Sequence, residues 1–253
     1  MDKFKLILSV NMKKYFFFNS NPCKKIIYID KYCFISGDVA MSIGKKIRVV
    51  AILATRNEEI FIQRCLEHLI SQGIEVYLLD NESTDNTIII AEKFLNKGLV
   101  GIKTFPFDGN FDLTAQLSLK EQIAQSFDAD WFMHHDADEV RFAPLRYDSL
   151  LDGIIDVDTN GFTAINFDEF VFLPTSRDES FEHKDYVNEM RYYYYFSPKN
   201  LRRINAWKNT GDKIDLISSA GHRVNFTGIN IYRENFILRH YIFLSYMHAC
   251  KKY

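Results

Sequence analysis

The chain lacks the features that would mark it as secreted, membrane-spanning or nucleic-acid-binding. Its four cysteines, Cys23, Cys33, Cys65 and Cys250, fall in no Cys-x-x-Cys or zinc-ligand spacing, which leaves them as free thiols of a reducing compartment. No apolar run reaches the roughly 18 to 20 residues of a bilayer span. Through residue 40, a stretch rich in Lys, Phe, Tyr and Ile that includes Phe16-Phe17-Phe18, lysines interrupt the apolar clusters. Lys3 and Lys5 ahead of Leu6-Ile7-Leu8 lack the long apolar core and small-residue cleavage site of a secretion signal. An excess of one charge sign is missing too: 31 Lys and Arg stand against 33 Asp and Glu, a net charge of -2, which gives no basic field for nucleic acid. What is present is an ordinary globular composition, 47% hydrophobic and 25% charged, over 253 residues, enough to bury a substantial core.

From Arg48 onward the pattern becomes regular. Val49-Val50-Ala51-Ile52-Leu53-Ala54 is an unbroken apolar run, as expected of a central parallel strand buried on both faces. It stops at Thr55-Arg56-Asn57-Glu58. A helical pattern follows, with Ile60, Leu66, Leu69 and Ile70 on one face, and Gly73 closes it. A second strand over residues 75–79 leads into Asp80-Asn81-Glu82-Ser83-Thr84-Asp85-Asn86-Thr87, where Ser83 or Asp85 can cap a helix over about 85–96 that Gly98 ends. A third strand covers 100–105 and a helix covers 113–126. Strands alternating with helices predict a parallel sheet with right-handed crossovers.

The next strand carries the strongest chemical signal. Trp131-Phe132-Met133 runs through His134-His135 into Asp136-Ala137-Asp138-Glu139. On extended backbone, side chains two apart share a face, so Asp136 and Asp138 aim at one point while Ala137 turns away. Two hard oxygen ligands at a strand's carboxyl end suit Mg2+ or Mn2+ holding substrate phosphates. That edge is also where open α/β sheets bind ligands. A lone Asp-x-Asp is more often a solvated turn; the two upstream motifs favour the site.

Taken together, the strand ending in Thr-x-Asn-Glu, the Leu78-Leu79-Asp80-Asn81-Glu82-Ser83-Thr84-Asp85-Asn86-Thr87 segment and Asp136-Ala137-Asp138 resemble glycosyltransferase family 2. The resemblance is strongest over 48–144 and nearest to a subgroup with a His-His-Asp-Ala-Asp-Glu motif. It implies an α/β GT-A fold, the nucleotide-diphospho-sugar transferase fold, with a mostly parallel central sheet flanked by helices. Glu82 departs from the glycine usual at its position. The implied nucleotide contacts are Thr55, Asn57, Asp80, Asn81, Lys120 and Asp136, with Asp80 or Asn81 meeting the base and Lys120 facing the diphosphate. The residues alone read differently: Thr55 and Asn57 as turn and cap groups, Asp80 as an Asx turn, Lys120 as a solvated helix lysine.

The second half is expected to serve the acceptor. Residues 162–167 alternate into a strand, Thr175 to Asp185 forms a polar loop that could act as a lid, and Tyr192 to Tyr195 suits either a packed sheet face or an acceptor platform, as does Trp207. The resemblance implies a further metal ligand near the carboxyl end; His240 matches first and His222 second. With His240, the expected metal set is Asp136, Asp138 and His240, whose mixed oxygen and nitrogen donors favour Mn2+ over Mg2+. At most one of His134 and His135 can reach that centre, since neighbours on a strand face opposite ways. Arg239 or Arg223 would help Lys120 offset the leaving diphosphate. The family's base motif is not cleanly present, so Asp168 and Glu169 are the first candidates for the catalytic base and Asp178 and Glu179 the next.

The expectation is therefore a metal-dependent, inverting transferase using a nucleotide-sugar donor, with uridine the expected base, and a saccharide, lipid-linked or protein acceptor. It would use no nucleic acid, have no transmembrane segment, and lie in the cytoplasm or peripheral to a membrane. Residues 1–40 read as an accessory or artefactual arm. Residues 41–253 read as the domain, with a nucleotide half over 48–144 and an acceptor half over 145–253, cut short at its carboxyl end. An Asp-x-Asp phosphatase of the haloacid-dehalogenase type would carry the motif on its first strand, and a nucleotidyltransferase would carry a glycine-rich loop after it. A catalytically inactive nucleotide- or carbohydrate-binding protein of the same fold is the alternative from another class.

Overall fold

The structure is a computed structural model, and it describes residues 26–29, 32–35, 39–42, 47–182, 185–196 and 201–252. The readings at Lys3 to Leu8 and Phe16 to Phe18 lie outside these residues. The chain divides into a unit Met1–Lys46 and a unit Ile47–Tyr253. In the first, β1 (Ile26–Ile29), β2 (Tyr32–Ile35) and β3 (Val39–Ser42) form an antiparallel sheet in that order. Met41, expected to open the main domain, lies inside β3 and pairs with Cys33.

The larger unit is built on β4 (Val49–Thr55), buried along its whole length as its apolar run predicts. It pairs in parallel with β5 (Glu75–Asp80) on one side, and β6 (Leu99–Thr104) extends the sheet beyond β5. Helix α1 (Ile62–Ser71) crosses back between β4 and β5, burying Ile62, Cys65, Leu66 and Leu69. Helix α2 (Thr87–Ala91) is shorter than the expected 85–96. A 3-10 turn at Glu92–Phe94 follows it, and Leu95 then bridges to Leu99. Helix α3 (Leu113–Ser126) starts where Asp112 caps the Ala115 N–H, matching the sequence reading. It delivers the chain to β7 (Trp131–Asp136), parallel to the other side of β4.

Register fixes the site. Thr55 stands opposite Asp80, and Ala54 opposite Asp136, so the carboxyl ends of three parallel strands meet at one sheet edge. Beyond β7 the sheet stops being parallel. Strand β8 (Glu139–Phe142) turns straight back out, α4 (Leu150–Thr159) follows with Ser149 as its cap, and β9 (Ala164–Phe172) re-enters. After the short α5 (Tyr186–Glu189) come β10 (Tyr193–Phe196), β11 (Ile204–Lys208), β12 (Phe236–His240) and α6 (Tyr246–Lys252). Among the described residues the sheet has nine strands, ordered β6-β5-β4-β7-β11-β9-β12-β8 with β10 against β9. Strand β11 is antiparallel to both its neighbours, whereas β12 is parallel to β9 and antiparallel to β8. The expected mostly parallel sheet is thus parallel in its nucleotide half and mixed in its acceptor half.

The aromatic candidates separate. Trp207 is buried against Phe132 and belongs to the core. Tyr192, Tyr193, Tyr194 and Tyr195 are all exposed, Tyr195 stacking on Phe170, so none of them packs a core face. The polar loop includes residues outside those described; within it, Glu179 accepts from the Thr175 N–H and hydroxyl. No helix among the described residues is long and apolar enough to cross a membrane.

Two outcomes follow from this packing. Gly153, inside α4, would place an added Cβ 2.8 Å from Phe236 Cζ and 3.0 Å from Ala143 Cβ. Helix propensity alone favours alanine by about 1 kcal/mol. Even so, Gly153→Ala is expected to lose on the order of 1 kcal/mol net, or roughly 2–4 °C in Tm. An unchanged or higher Tm would mean that Phe236 yields freely. A chain starting at Ile47 is expected to melt within about 2 °C of the full chain; a larger fall would show that residues 1–46 add stability.

Candidate active site

The loops after β4 and β5 are stitched to each other. Asn57 takes a left-handed φ of 55°; its N–H donates to Ser83 Oγ at 3.0 Å, and its Oδ1 accepts the Thr84 N–H at 2.7 Å. Glu58 N–H donates to Thr87 Oγ1 and Arg56 donates to the Asn81 and Glu82 carbonyls, its guanidinium over the Phe107 ring. Glu82 has φ 51°, the left-handed conformation for which glycine is the usual choice. Its carboxylate accepts the Phe107 N–H, a bond glycine could not supply. Asp80 is buried; its Oδ2 takes the Ser83 N–H, while its Oδ1 takes the Ser83 hydroxyl at 2.5 Å and the Thr55 hydroxyl at 3.4 Å. Asn81 donates to the Phe105 and Pro106 carbonyls. Thr55, Asn57, Asp80 and Asn81 therefore build the loop walls, as the Asx-turn and cap readings expect.

Asp136 ends β7, and Ala137-Asp138 is a turn into β8, so it is this turn, not extended alternation, that sets the two carboxylates. Lys120 is wholly buried and is no solvated helix lysine. Its ammonium bonds His134 Nδ1 at 3.1 Å and the His135 carbonyl at 3.0 Å, and lies 3.6 Å from Asp136 Oδ1. It stands behind Asp136 and not in front of it. Burial would raise the Asp136 carboxyl, but Lys120 and then His134 hold it well below the carboxylate range. His134 shares the Asp136 face, 3.7 Å from Oδ2. His135 points the other way into a buried cluster with Glu139 and Arg141. There both His135 ring nitrogens, Glu139 Oε1, and Arg141 Nε and Nη1 have no hydrogen-bond partner among the described residues.

Asp138 belongs to a second group. His240 Nε2 lies 3.5 Å from its Oδ1, while His240 Nδ1 bonds Glu169 Oε1 at 2.9 Å. A carboxylate on the far nitrogen is the arrangement that aims a histidine at a cation. Burial would lower the imidazole, yet Asp138 and Glu169 push it up to about 10. Glu169 is in turn held by Arg203 through Nε at 2.9 Å and Nη2 at 2.5 Å. Despite its burial it is kept well below the carboxylate range, a poor state for a base. Asp168, next along β9, faces the other side and accepts from Asn235 at 3.0 Å and Tyr195 at 3.3 Å. The expected base pair is therefore split across the sheet. His222 lies on Arg203 Nη1 and not at the aspartates. Arg239 lies over the Phe142 and Phe172 rings, and Arg223 is exposed on a loop where its carbonyl accepts Ser219. Among the described residues no hydrogen bond or ion pair joins either arginine to Asp136 or Asp138.

Sequence reasoning missed two groups here. Lys252 donates to Asp138 Oδ2 at 2.9 Å and lies 3.8 Å from Glu58 Oε1. Burial raises the Glu58 carboxyl to about 8, against the pull of Lys252. Glu58 stood in a recognised motif without a role, and nothing near Lys252 in sequence pointed to Asp138. The donor types of Asp136, Asp138 and His240 suit a divalent cation. Yet among the described residues no three His, Cys, Asp or Glu side chains are gathered to hold one.

The sheet order and loops define a GT-A fold. Residues 50–144 match the profile of the family described as "Glycosyl transferase family 2". A relative from Rickettsia bellii, described as an uncharacterized glycosyltransferase, is 35% identical over 92 residues, covering 36% of this chain and 28% of its own. Among solved structures, a fragment of S. aureus TarS in complex with UDP aligns at TM-score 0.48 and 15% identity, over 78% of this chain and 61% of that one. A longer S. aureus TarS structure gives 0.43 and 14%, over 78% and 37%. The chain thus spans under a third of the curated relative and about three-fifths of the TarS fragment.

His240 sets an expected pH response. Its folded value near 10 lies above the unfolded value of about 6.5. Its contribution is therefore complete below pH 6.5 and lost as pH rises through 10. Glu58 gives a slope of the same sign below about 8, and the Cys65 thiol, pushed up by burial, adds one of the same sign at higher pH, so the His240 share is read as the difference between wild type and variant over pH 8–10. In metal-free buffer, denaturant unfolding should show stability falling over that window, and His240→Asn should flatten the fall. An equal slope in both proteins would remove the buried imidazolium.

Proposed function

We propose that the chain is a metal-dependent glycosyltransferase that moves a sugar from a nucleoside-diphosphate donor, uridine-linked, to a hydroxyl acceptor with inversion. The observation that carries this reading is the Asp136-Ala137-Asp138 turn, set at the carboxyl edge of a family 2 segment with His240 directed at it. Mn2+ or Mg2+ would be held by Asp136, Asp138 and His240, and when bound it offsets the charge of the departing diphosphate. The chain's own parts do the rest. Lys120 keeps Asp136 ionised from behind. Thr55, Asn57 and Asn81 would serve the nucleotide by holding the walls of its loops in place. Of the roughly four lone-pair positions of a carboxylate, Asp80 has three taken, which leaves one for a base N–H.

The inactive alternative has one observation in its favour. Of the two expected bases, Glu169 is spent on Arg203 and His240, and Asp168 faces away. Binding and turnover separate the readings. Calorimetry should show UDP binding at least tenfold weaker without Mn2+, and Asp136→Asn and Asp138→Asn should each abolish donor turnover with far-UV circular dichroism unchanged. Metal-independent UDP binding that survives both substitutions would overturn the metal-dependent reading. Tight binding with no turnover on any donor would favour the inactive one.

A further inference from the structure

We infer that the Lys252 ammonium and the divalent cation are alternative occupants of Asp138, so that α6 is a displaceable closure of the cation site. This rests on the metal-dependent reading above and adds to it a residue that competes with the metal.

Asp138 has two oxygens with different neighbours. Oδ1 faces His240 Nε2 at 3.5 Å, a separation too long for a firm hydrogen bond, while Oδ2 carries the Lys252 ammonium at 2.9 Å. The same ammonium lies 3.5 Å from the Ile242 carbonyl, 3.8 Å from Glu58 Oε1 and 5.7 Å from the Phe61 ring centre. A monovalent cation thus sits among oxygens of the kind a hard divalent ion takes. Both cannot use Oδ2 at once, since two cations on one carboxylate oxygen repel strongly where water is scarce.

The element carrying Lys252 is suited to leave. No residue of α6 is buried, and Tyr246 and Met247 are well exposed. The chain just before it is fixed: the Tyr241 N–H donates to the Asp138 carbonyl at 2.8 Å, and Leu244 and Ser245 are buried. Local opening of a segment with little buried apolar surface costs far less than global unfolding. The hinge is therefore the Ser245–Tyr246 junction, and what α6 gives up on opening includes the Lys252 pairing, the contact of His248 with the Phe61 ring, the bond from the Leu244 N–H to His248 Nδ1 and the contact of Arg177 with the Tyr246 ring. A dication held by Asp136, Asp138 and His240 would displace the ammonium, and α6 would swing out and uncover the site.

The test uses the full chain and Mn2+ alone. Mn2+ affinity is measured by calorimetry for the wild type, Lys252→Met, Lys252→Arg and Asp138→Asn, with amide hydrogen exchange over 246–252 followed as Mn2+ is added. Lys252→Met should bind Mn2+ at least tenfold more tightly, and Lys252→Arg should stay near the wild type. Exchange over α6 in the wild type should quicken as the metal binds. If Lys252→Met binds Mn2+ no better while Asp138→Asn abolishes binding, the competition is wrong and the metal reading stands. Exchange in α6 that does not change on Mn2+ binding overturns the displacement as well. If none of the proteins binds Mn2+, the metal reading fails and the competition fails with it.

Discussion

Lys120 is a cation with no access to water, and burying an ammonium is tolerable only when each of its donors is used. Its ammonium bonds His134 Nδ1 and the His135 carbonyl and lies 3.6 Å from the Asp136 carboxylate as an ion pair, and these three are consecutive residues at the end of β7. One side chain on α3 therefore fixes the backbone direction, a ring orientation and a carboxylate together. Breaking a buried pair from one side costs about 3–5 kcal/mol, so the strand end cannot drift without stranding the charge. The edge of the sheet where β4, β5 and β7 finish is rigid because of this constraint, and the softer stitching of the 55–58 and 80–87 loops is built against it.

On the other side of the turn the order is carried by alternating charge. Arg203 grips Glu169, Glu169 takes His240 Nδ1, His240 faces Asp138, and Asp138 meets Lys252. Each member is stabilised in its ionised form by its neighbours, which is why His240 is raised while Glu169 and Asp138 are lowered despite their burial. The arrangement makes Glu169 a poor proton acceptor but a good orienter of His240. A carboxylate that looks like a base on a strand end can thus be the second neighbour of an ion site.

The nucleotide half was legible because its signals are local. The apolar run of β4, the helical pattern over 113–126 and the glycine past α1 each act within a few residues, and the structure follows them closely. The acceptor half was not, because its decisive pairings join distant segments. Strand β11 inserts antiparallel between β7 and β9, and nothing in Ile204 to Lys208 specifies that neighbour in advance. The same applies to charges. Asp136 and Asp138 could be named from their spacing, whereas Lys252 reaches Asp138 across 114 positions. Glu82 is intermediate: its departure from glycine was visible, but its bond to the Phe107 N–H needed the fold.

Behind the turn, His135, Glu139, Arg141 and Asn205 form a fully enclosed polar group whose donors and acceptors are only partly matched. Buried atoms of this kind are ordinarily satisfied by protein or by ordered water. Glu139 Oε2 accepts both the Asp136 N–H at 3.2 Å and Arg141 Nη2 at 2.5 Å. An apolar core would pack this space at lower cost in desolvation, so the polar group is not there for stability. That backbone N–H ties the Asp136 end of the turn to the interior. Lys120 fixes the side chain of Asp136 and Glu139 fixes its backbone, so of the two aspartates it is Asp138, the more buried, whose carboxylate is left to exchange the Lys252 ammonium for another cation.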